Sequence, residues 1–396
     1  MKKKISIIGG GPSSLLLAAF LDIEKFDITI YEKNKTLGRK FLVAGKGGFN
    51  LTHSESISKL IERYTPSNFL KKSLFSFTND DFRQWLSEIG IPTFIGSSKR
   101  VYPEENIKPI TVLNTILNHL KKRGINFKYE HVFSGWSAQN DLIINNNIIT
   151  SDYTVFSLGG GSWKITGSDG GWLKTFEEKG VNTIPFQASN CAFKINWNSK
   201  FIEENGGIPL KNITISCAEK QQKGEAVITS FGLEGNAIYA LSPQIREQLK
   251  AHKKAQIHLD FKPIFTLENI RSKIENSSFK NTTQILKKEL KLSAAQISLL
   301  KTTLSKEAYL NIEILSKNIK KFTLEITDLS VLDEAISTIG GIALNAVDTN
   351  YQLHKIPKQF CIGEMLNWDA PTGGYLLQAC ASTGVFLAKY FNEIEK

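Results

Sequence analysis

The 396-residue chain carries 49 lysines and arginines against 38 acids, a net charge of +11, with 41% hydrophobic and 10% aromatic content. That length allows two or three domains around a sizeable core, and no uninterrupted apolar segment reaches the roughly 20 residues of a bilayer-spanning helix, which excludes a membrane-spanning or disordered chain. Cys191, Cys217, Cys361 and Cys380 form no CxxC pair, which argues against a disulfide framework or zinc site and for a reducing, cytoplasmic setting. Lysines are spread along the sequence rather than gathered in one block, so the charge reads as a solvated surface more than a nucleic-acid footprint.

Residues 5–8 are a short apolar run of the kind that forms a buried parallel strand, and they pass directly into Gly9-Gly10-Gly11-Pro12. Residues 13–21 are rich in leucine and alanine, with Pro12 where a first helical turn tolerates it. A second apolar run, 28–31, ends on Glu32. Strand, glycine turn, helix, strand and terminal acid spell a dinucleotide-binding βαβ unit. In it Gly9 makes the sharp turn, and Gly11 lets backbone N–H groups approach a pyrophosphate beside Pro12 and Ser13. Glu32 would accept hydrogen bonds from the ribose hydroxyls. Ser14 stands where the fingerprint has its third glycine, a position that serves helix–strand packing. Lys2-Lys3-Lys4 before an apolar run also has the look of a secretory leader, but four turn-forming residues interrupt the run.

Residues 44–52 hold a second glycine-rich loop, including Gly45, Gly47 and Asn50, which suggests backbone in close approach to a ligand. A helix is predicted over 81–89 with Phe82, Trp85, Leu86 and Ile89 on one face, an extended element over 100–103, and a helix over 110–122. Residues 125–149 read as a β-meander, and 153–158 as a buried strand ending in Gly159-Gly160-Gly161, where ligands bind in open α/β sheets. From residue 190 the pattern turns to alternating strands at 191–197, 213–217, 226–229, 238–241 and 256–261, then several short helices over 266–315 with a capping box at Ser293 and Gln296, then a strand at 322–326. Near the C-terminus, a strand over 360–364 ends on Gly363-Glu364, and Pro371-Thr372-Gly373-Gly374 opens a helix from 375 to about 391, whose free N–H groups suit the N1/O2 edge of a reduced flavin.

Taken in order, these motifs resemble the BaiN-type NAD(P)/FAD-dependent oxidoreductases, the HI0933-like flavoproteins. The matching stretches are Gly9 to Ser14 with Glu32, Gly38-Arg39-Lys40, residues 45–52, Arg100-Val101-Tyr102-Pro103, Gly159-Gly160 with residues 167–170, residues 224–229 and 232–235, residues 337–341, and Gly363-Glu364 with residues 372–378. The resemblance covers nearly the whole chain. It implies an α/β fold: a discontinuous Rossmann-type FAD-binding domain over 1–188 and 334–396, an inserted antiparallel β-barrel-like domain over 189–262 and 318–333, and a helical insert over 263–317. It implies an oxidoreductase that reduces an activated C=C bond of a small-molecule substrate, with nucleic acid an unlikely partner, FAD as cofactor and NADH or NADPH as transient reductant. The expected FAD contacts add Lys33, Arg39, Lys40, Val132, Glu364, Tyr375 and Leu376 to those above. Tyr102 is the first candidate proton donor and His53 the second; no metal is expected. Where the family reads Gly-Gly-Gly-Arg-Cys-Asn, this chain has Gly45-Lys46-Gly47-Gly48-Phe49-Asn50, so the arginine and cysteine are absent. Two other functions compete: an RNA-modifying flavoprotein that holds tRNA on its basic surface, and a non-catalytic flavin-binding protein.

Overall fold

The first two apolar runs become strands β1 (Lys3–Ile8) and β2 (Phe26–Glu32), with helix α1 (Pro12–Phe20) between them. This computed structural model describes residues 1–43 and 49–395. The chain divides into two units, one formed by Met1–Ala188 with Leu332–Lys396 and the other by Ser189–Val331.

In the first unit a five-stranded sheet runs Gln359–Cys361, Tyr153–Phe156, β1, β2, Asn126–Tyr129, and all four pairings are parallel. Parallel strands need crossovers that cover both faces, which is why these strands are apolar along most of their length. Ile5, Ile7, Ile8, Val155 and Phe156 are all buried. Helix α1 is buried from Ser13 to Ala19 because it lies between the sheet and a long C-terminal helix, Tyr375–Ile394. The predicted meander forms as the antiparallel strands Phe133–Trp136, Leu142–Ile144 and Asn147–Ile149. A further antiparallel sheet joins Thr52–His53, Arg100–Pro103 and Thr93–Ile95, in the order Thr52–His53, Arg100–Pro103, Thr93–Ile95.

The second unit is built on a seven-stranded sheet. Its order is Phe322–Ile326, Ala255–Asp260, Pro209–Cys217, Lys220–Ile228, Gly232–Glu234, Phe193–Lys194, Asp328–Leu329. The two edge strands are separated in sequence by Thr327 alone, so the sheet must curl until its edges approach, which gives the antiparallel barrel-like form. Alternation sets its core: Ala255, Ile257 and Leu259 point inward while their neighbours face outward. Helices Leu267–Glu275, Thr282–Lys288, Ala294–Thr303, Lys306–Leu310 and Ile312–Lys320 follow, and each starts where sequence chemistry puts a cap. Thr266, Asn281, Ser293, Ser305 and Asn311 each accept a hydrogen bond from the backbone N–H three residues on.

Two strand expectations fail here. Residues 238–241 are not a strand; helix Asn236–Tyr239, entered through Gly235 at φ 110° and burying Ala237 and Ile238, takes the first half, and Ala240-Leu241 turn into the next helix, Ser242–His252. A short apolar run fits either a strand or a buried helical turn, and the glycine bend decides for the helix. The strand predicted over 191–197 shrinks to Phe193–Lys194. Among the described residues no helix is long and apolar enough to cross a membrane.

The contact between α1 and the C-terminal helix turns on Gly384. A Cβ there would overlap the Ser13 carbonyl oxygen and lie 2.9 Å from the Leu17 nitrogen, both backbone atoms of α1. Gly384→Ala should therefore destabilise the protein by about 1–3 kcal/mol, since separating two buried helices outweighs the ~1 kcal/mol that alanine gains in helix propensity. Urea unfolding of the two proteins measures it; an equally or more stable variant would mean the helices are free to slide apart.

Candidate functional site

The carboxyl ends of the parallel strands open into a cleft lined by the Gly9–Ser13 turn, Glu32, Lys33, Arg39, Lys40, Gly159 and Glu364. Gly9 sits at φ 98° with its α-carbon against the Ser157 carbonyl, so no side chain fits there. Gly11 differs: a Cβ on it would meet nothing within 4 Å, because it faces the open cleft. It is also the N-cap of α1 and supplies no side-chain cap, which leaves first-turn N–H groups and the positive end of the helix turned toward the cleft. Ser14 is fully buried behind the turn and its hydroxyl donates to the Gly9 carbonyl, which is how a serine serves at the third-glycine position.

Glu32 is buried at the end of β2. Its Oε2 accepts the Gly10 N–H at 2.9 Å, and its Oε1 accepts both the backbone and side-chain N–H of Asn34 at 2.8 and 2.7 Å. The carboxylate is thus fixed beside the glycine turn. Across the cleft the Lys40 ammonium lies 3.0 Å from both Glu364 oxygens and 3.1 Å from Ser162 Oγ, and Lys33 pairs with Asp169 at 2.8 Å. Arg39 donates to the Ile165 carbonyl at 2.8 Å. A turn with free N–H groups, an anchored acid at the strand end and three cations around the opening fit the pyrophosphate and ribose of a dinucleotide.

A second cluster gathers at the start of the C-terminal helix. His53 stacks on the Tyr375 ring, centroids 5.1 Å apart at 20°. The Tyr375 hydroxyl donates to Glu55 Oε1 at 2.7 Å, and Arg63 grips the same carboxylate with Nε at 3.1 Å and Nη2 at 3.0 Å. Burial raises the Glu55 pKa, but the Arg63 and Tyr375 hydrogen bonds and the Arg63 charge outweigh it and hold the group below its usual value. Burial lowers the His53 imidazole, the Glu55 carboxylate opposes, and the Arg63 and Arg100 charges add to the lowering. The Glu55 N–H donates to His53 Nδ1 at 3.2 Å. A neutral His53 thus accepts through Nδ1.

Half of the expected cofactor contacts line the first cleft: Gly9, Gly11, Pro12, Ser13, Glu32, Lys33, Arg39, Lys40, Val132, Gly159 and Glu364. Gly160 and Gly363 stand behind it, where a Cβ would overlap Thr338 Oγ1 and Ser13 Oγ respectively. Thr372, Gly373, Gly374, Tyr375 and Leu376 are placed by the helix start instead, near His53. The tight neighbour of Gly374 is the Thr52 backbone, 2.6 Å from where its Cβ would be, so strand packing already demands a glycine there. Tyr102 stacks on Phe94, centroids 5.6 Å apart. Asn50 is half-buried, and Gly45 and Gly47 lie outside the described residues. Sequence reasoning missed Glu55 and Arg63, which carry no motif, and Asp169 and Ser168, whose signal was their place in the Gly167–Gly170 turn.

A sequence model described as the HI0933-like protein Rossmann domain matches residues 3–390. The chain is 24% identical over 386 residues to a ribosomal RNA dihydrouridine synthase of Haemophilus influenzae, covering 94% of each. It is 22% identical over 406 residues to a 3-dehydro-bile acid delta(4,6)-reductase of Clostridium scindens, covering 96% of this chain and 97% of that one. Among solved structures, the open conformation of a flavocytochrome c3 fumarate reductase has the same fold at a TM-score of 0.52 and 11% identity, over 100% of this chain and 78% of that chain. The expectation that nucleic acid is an unlikely partner gains no support from relatives that include an enzyme named for ribosomal RNA.

The Glu55 network makes a pH-dependent contribution. A carboxyl group held below its ordinary value of 4.5 stabilises the fold fully above that pH and loses the effect as pH falls through the lowered value. Glu55→Gln should cost about 1.5–3 kcal/mol at neutral pH, the range for hydrogen bonds to a charged group. The gap from wild type should narrow as the solution is taken below pH 4.5. Urea midpoints across that range give the answer, and a gap that does not change with pH would show that the carboxylate charge plays no part.

Proposed function

The chain belongs to the HI0933-like family and is an FAD-dependent oxidoreductase, and from that premise we propose that it reduces a carbon–carbon double bond conjugated to a carbonyl group. The observation that carries the reading is the cleft at the start of α1, where open N–H groups, the anchored Glu32 carboxylate and Lys33, Arg39 and Lys40 converge. Dihydrouridine arises from uridine by adding two hydrogens across a ring double bond conjugated to a carbonyl, and a delta(4,6)-reductase acting on a 3-dehydro acid is named for the same kind of bond. FAD, when bound, supplies the hydride chemistry. The N–H groups of α1 would hold its pyrophosphate, Glu32 its ribose and Val132 its adenine end, while residues 372–376 would border the ring. NADH or NADPH is the proposed transient donor, because the chain has one glycine fingerprint and no second dinucleotide unit of its own.

A second reading takes uridine within RNA as the substrate. The charge partition favours it: Ser189–Val331 holds 21 lysines and arginines against 14 acids, most of the surplus of the whole chain.

Glu32→Ala should weaken FAD binding by roughly 10- to 150-fold, the equivalent of about 1.5–3 kcal/mol for lost charge-assisted hydrogen bonds. Titration of the apoprotein measures it, and unchanged affinity removes Glu32 from the ribose site. For the reaction itself, the anaerobically reduced holoprotein should be reoxidised by 2-cyclohexen-1-one or by a uridine-containing transcript, and not by cyclohexene. Reduced flavin that persists in the presence of every conjugated carbonyl acceptor would refute the reading.

A further inference from the structure

We infer that Arg100 is the cation that receives the substrate's carbonyl oxygen, on a face of the sheet it shares with Tyr102, Phe94 and His53. The inference rests on the proposed reduction of a conjugated carbonyl compound. Strand Arg100–Pro103 alternates, with Val101 and Pro103 buried and Arg100 and Tyr102 half-buried on the opposite side. Residues directly opposed across an antiparallel ladder project to the same face. Arg100 is opposed to His53 and Tyr102 to Phe94, so these four side chains share one face of the three-stranded sheet.

The two arginines of this cluster differ in what holds them. Arg63 is paired with Glu55 through two nitrogens. Among the described residues the Arg100 guanidinium has neither a hydrogen-bond acceptor nor an ion-pair partner. It lies against the loop before the C-terminal helix: a Cβ placed on Gly373 would be 3.4 Å from Arg100 Nε and equally close to the Tyr375 ring. A planar cation with free donors, next to two stacked rings of which Phe94 is 42% exposed, fits a flat conjugated system bearing one oxygen acceptor.

The chemistry needs such a cation. FAD, when bound and reduced, would supply a hydride; with a hydride added at the β-carbon, the π pair of the C=C bond moves to form an enolate, and the charge collects on the carbonyl oxygen. Donors fixed at that oxygen stabilise the charge as it develops. A proton taken from water at the α-carbon then restores the C=O bond and leaves the saturated carbonyl compound.

The test uses the FAD-loaded protein and 4-nitrophenolate, whose delocalised oxyanion mimics the enolate and requires no turnover. Wild type should bind it saturably, Arg100→Gln should weaken binding by roughly tenfold or more, and Arg100→Lys should recover part of the loss. Bound FAD should be unchanged in both variants. By NMR, the His53 titration in Arg100→Gln should shift upward, because a charge that lowers it has gone. Equal phenolate affinity in wild type and Arg100→Gln, or no saturable binding by wild type, overturns the assignment. If Arg100→Gln loses the phenolate while wild type reduces no conjugated carbonyl compound, the oxyanion site stands and the reductase reading falls. If wild type reduces 2-cyclohexen-1-one and Arg100→Gln does so with the same kcat/KM, Arg100 falls and the reductase reading stands.

Discussion

The architecture depends on the close approach of α1 to the C-terminal helix. Residues 13 and 384 are far apart in sequence, yet the Ser13 backbone lies where a side chain of Gly384 would be, and Gly363 packs against Ser13 from the strand side. The chain's first helix is therefore clamped by two glycines from its last segment. This forces the first unit to be discontinuous, since the sheet and α1 cannot be buried until residues after 332 return. It also sets the direction of α1, whose N-terminus must open toward the cleft. A helix buried on all sides contributes through packing rather than propensity, so the precision of this contact fixes where its N–H groups point.

How much of this the sequence made legible follows from how local each signal is. The β1–α1–β2 unit and Glu32 were readable because strand period, glycine turn and helix start lie within some thirty consecutive residues. The capping box at Ser293 and Gln296 was readable for the same reason, since a cap involves residues three apart. Residues 238–241 were misread because a four-residue apolar run has too few positions to distinguish a period of two from 3.6. The role of Gly374 was half-read: the glycine was noticed, but the Thr52 backbone that requires it is more than three hundred residues away in sequence. Glu55 and Arg63 carried no signal, because an ion pair eight residues apart through a helix and loop looks like ordinary surface charge until the fold buries its carboxylate.

The network around Glu55 explains why one arginine is held and another left open. Glu55 accepts from Arg63 and Tyr375, and its backbone N–H reaches His53, so a single residue ties the strand Thr52–His53 to the start of the C-terminal helix. Asn79 reinforces it by donating to the His53 and Glu55 carbonyls at 2.8 and 3.1 Å. With its carboxylate saturated, Glu55 has nothing left to neutralise Arg100. A second carboxylate here would close Arg100 off; its lack among the described neighbours leaves one net positive charge where the strand, the helix start and the aromatic pair meet.

Phenylalanine stands at position 49, where the resemblance leads one to expect a cysteine. Phe49 is buried and packs edge-on against Phe41 with centroids 4.9 Å apart, so that position offers apolar surface and no acid. The remaining thiols do not replace it. All four cysteines are buried, and burial first, then the Glu364 charge, pushes the Cys380 thiol up to about 12, where it neither ionises nor donates readily at neutral pH. Cys380 borders the dinucleotide cleft and contacts Gly363, which makes it a packing residue for the cofactor end of the fold. On the proposed reading, the substrate's anionic intermediate must persist until it is protonated, whether by water or by a side chain such as Tyr102 or His53. A carbonyl group conjugated to the double bond provides that persistence, because it moves the charge from carbon to oxygen, and a free guanidinium beside the oxygen lowers its energy further. On that reading, the apolar side chain at position 49 and an Arg100 guanidinium with no acceptor among the described residues are both compatible with a conjugated carbonyl substrate.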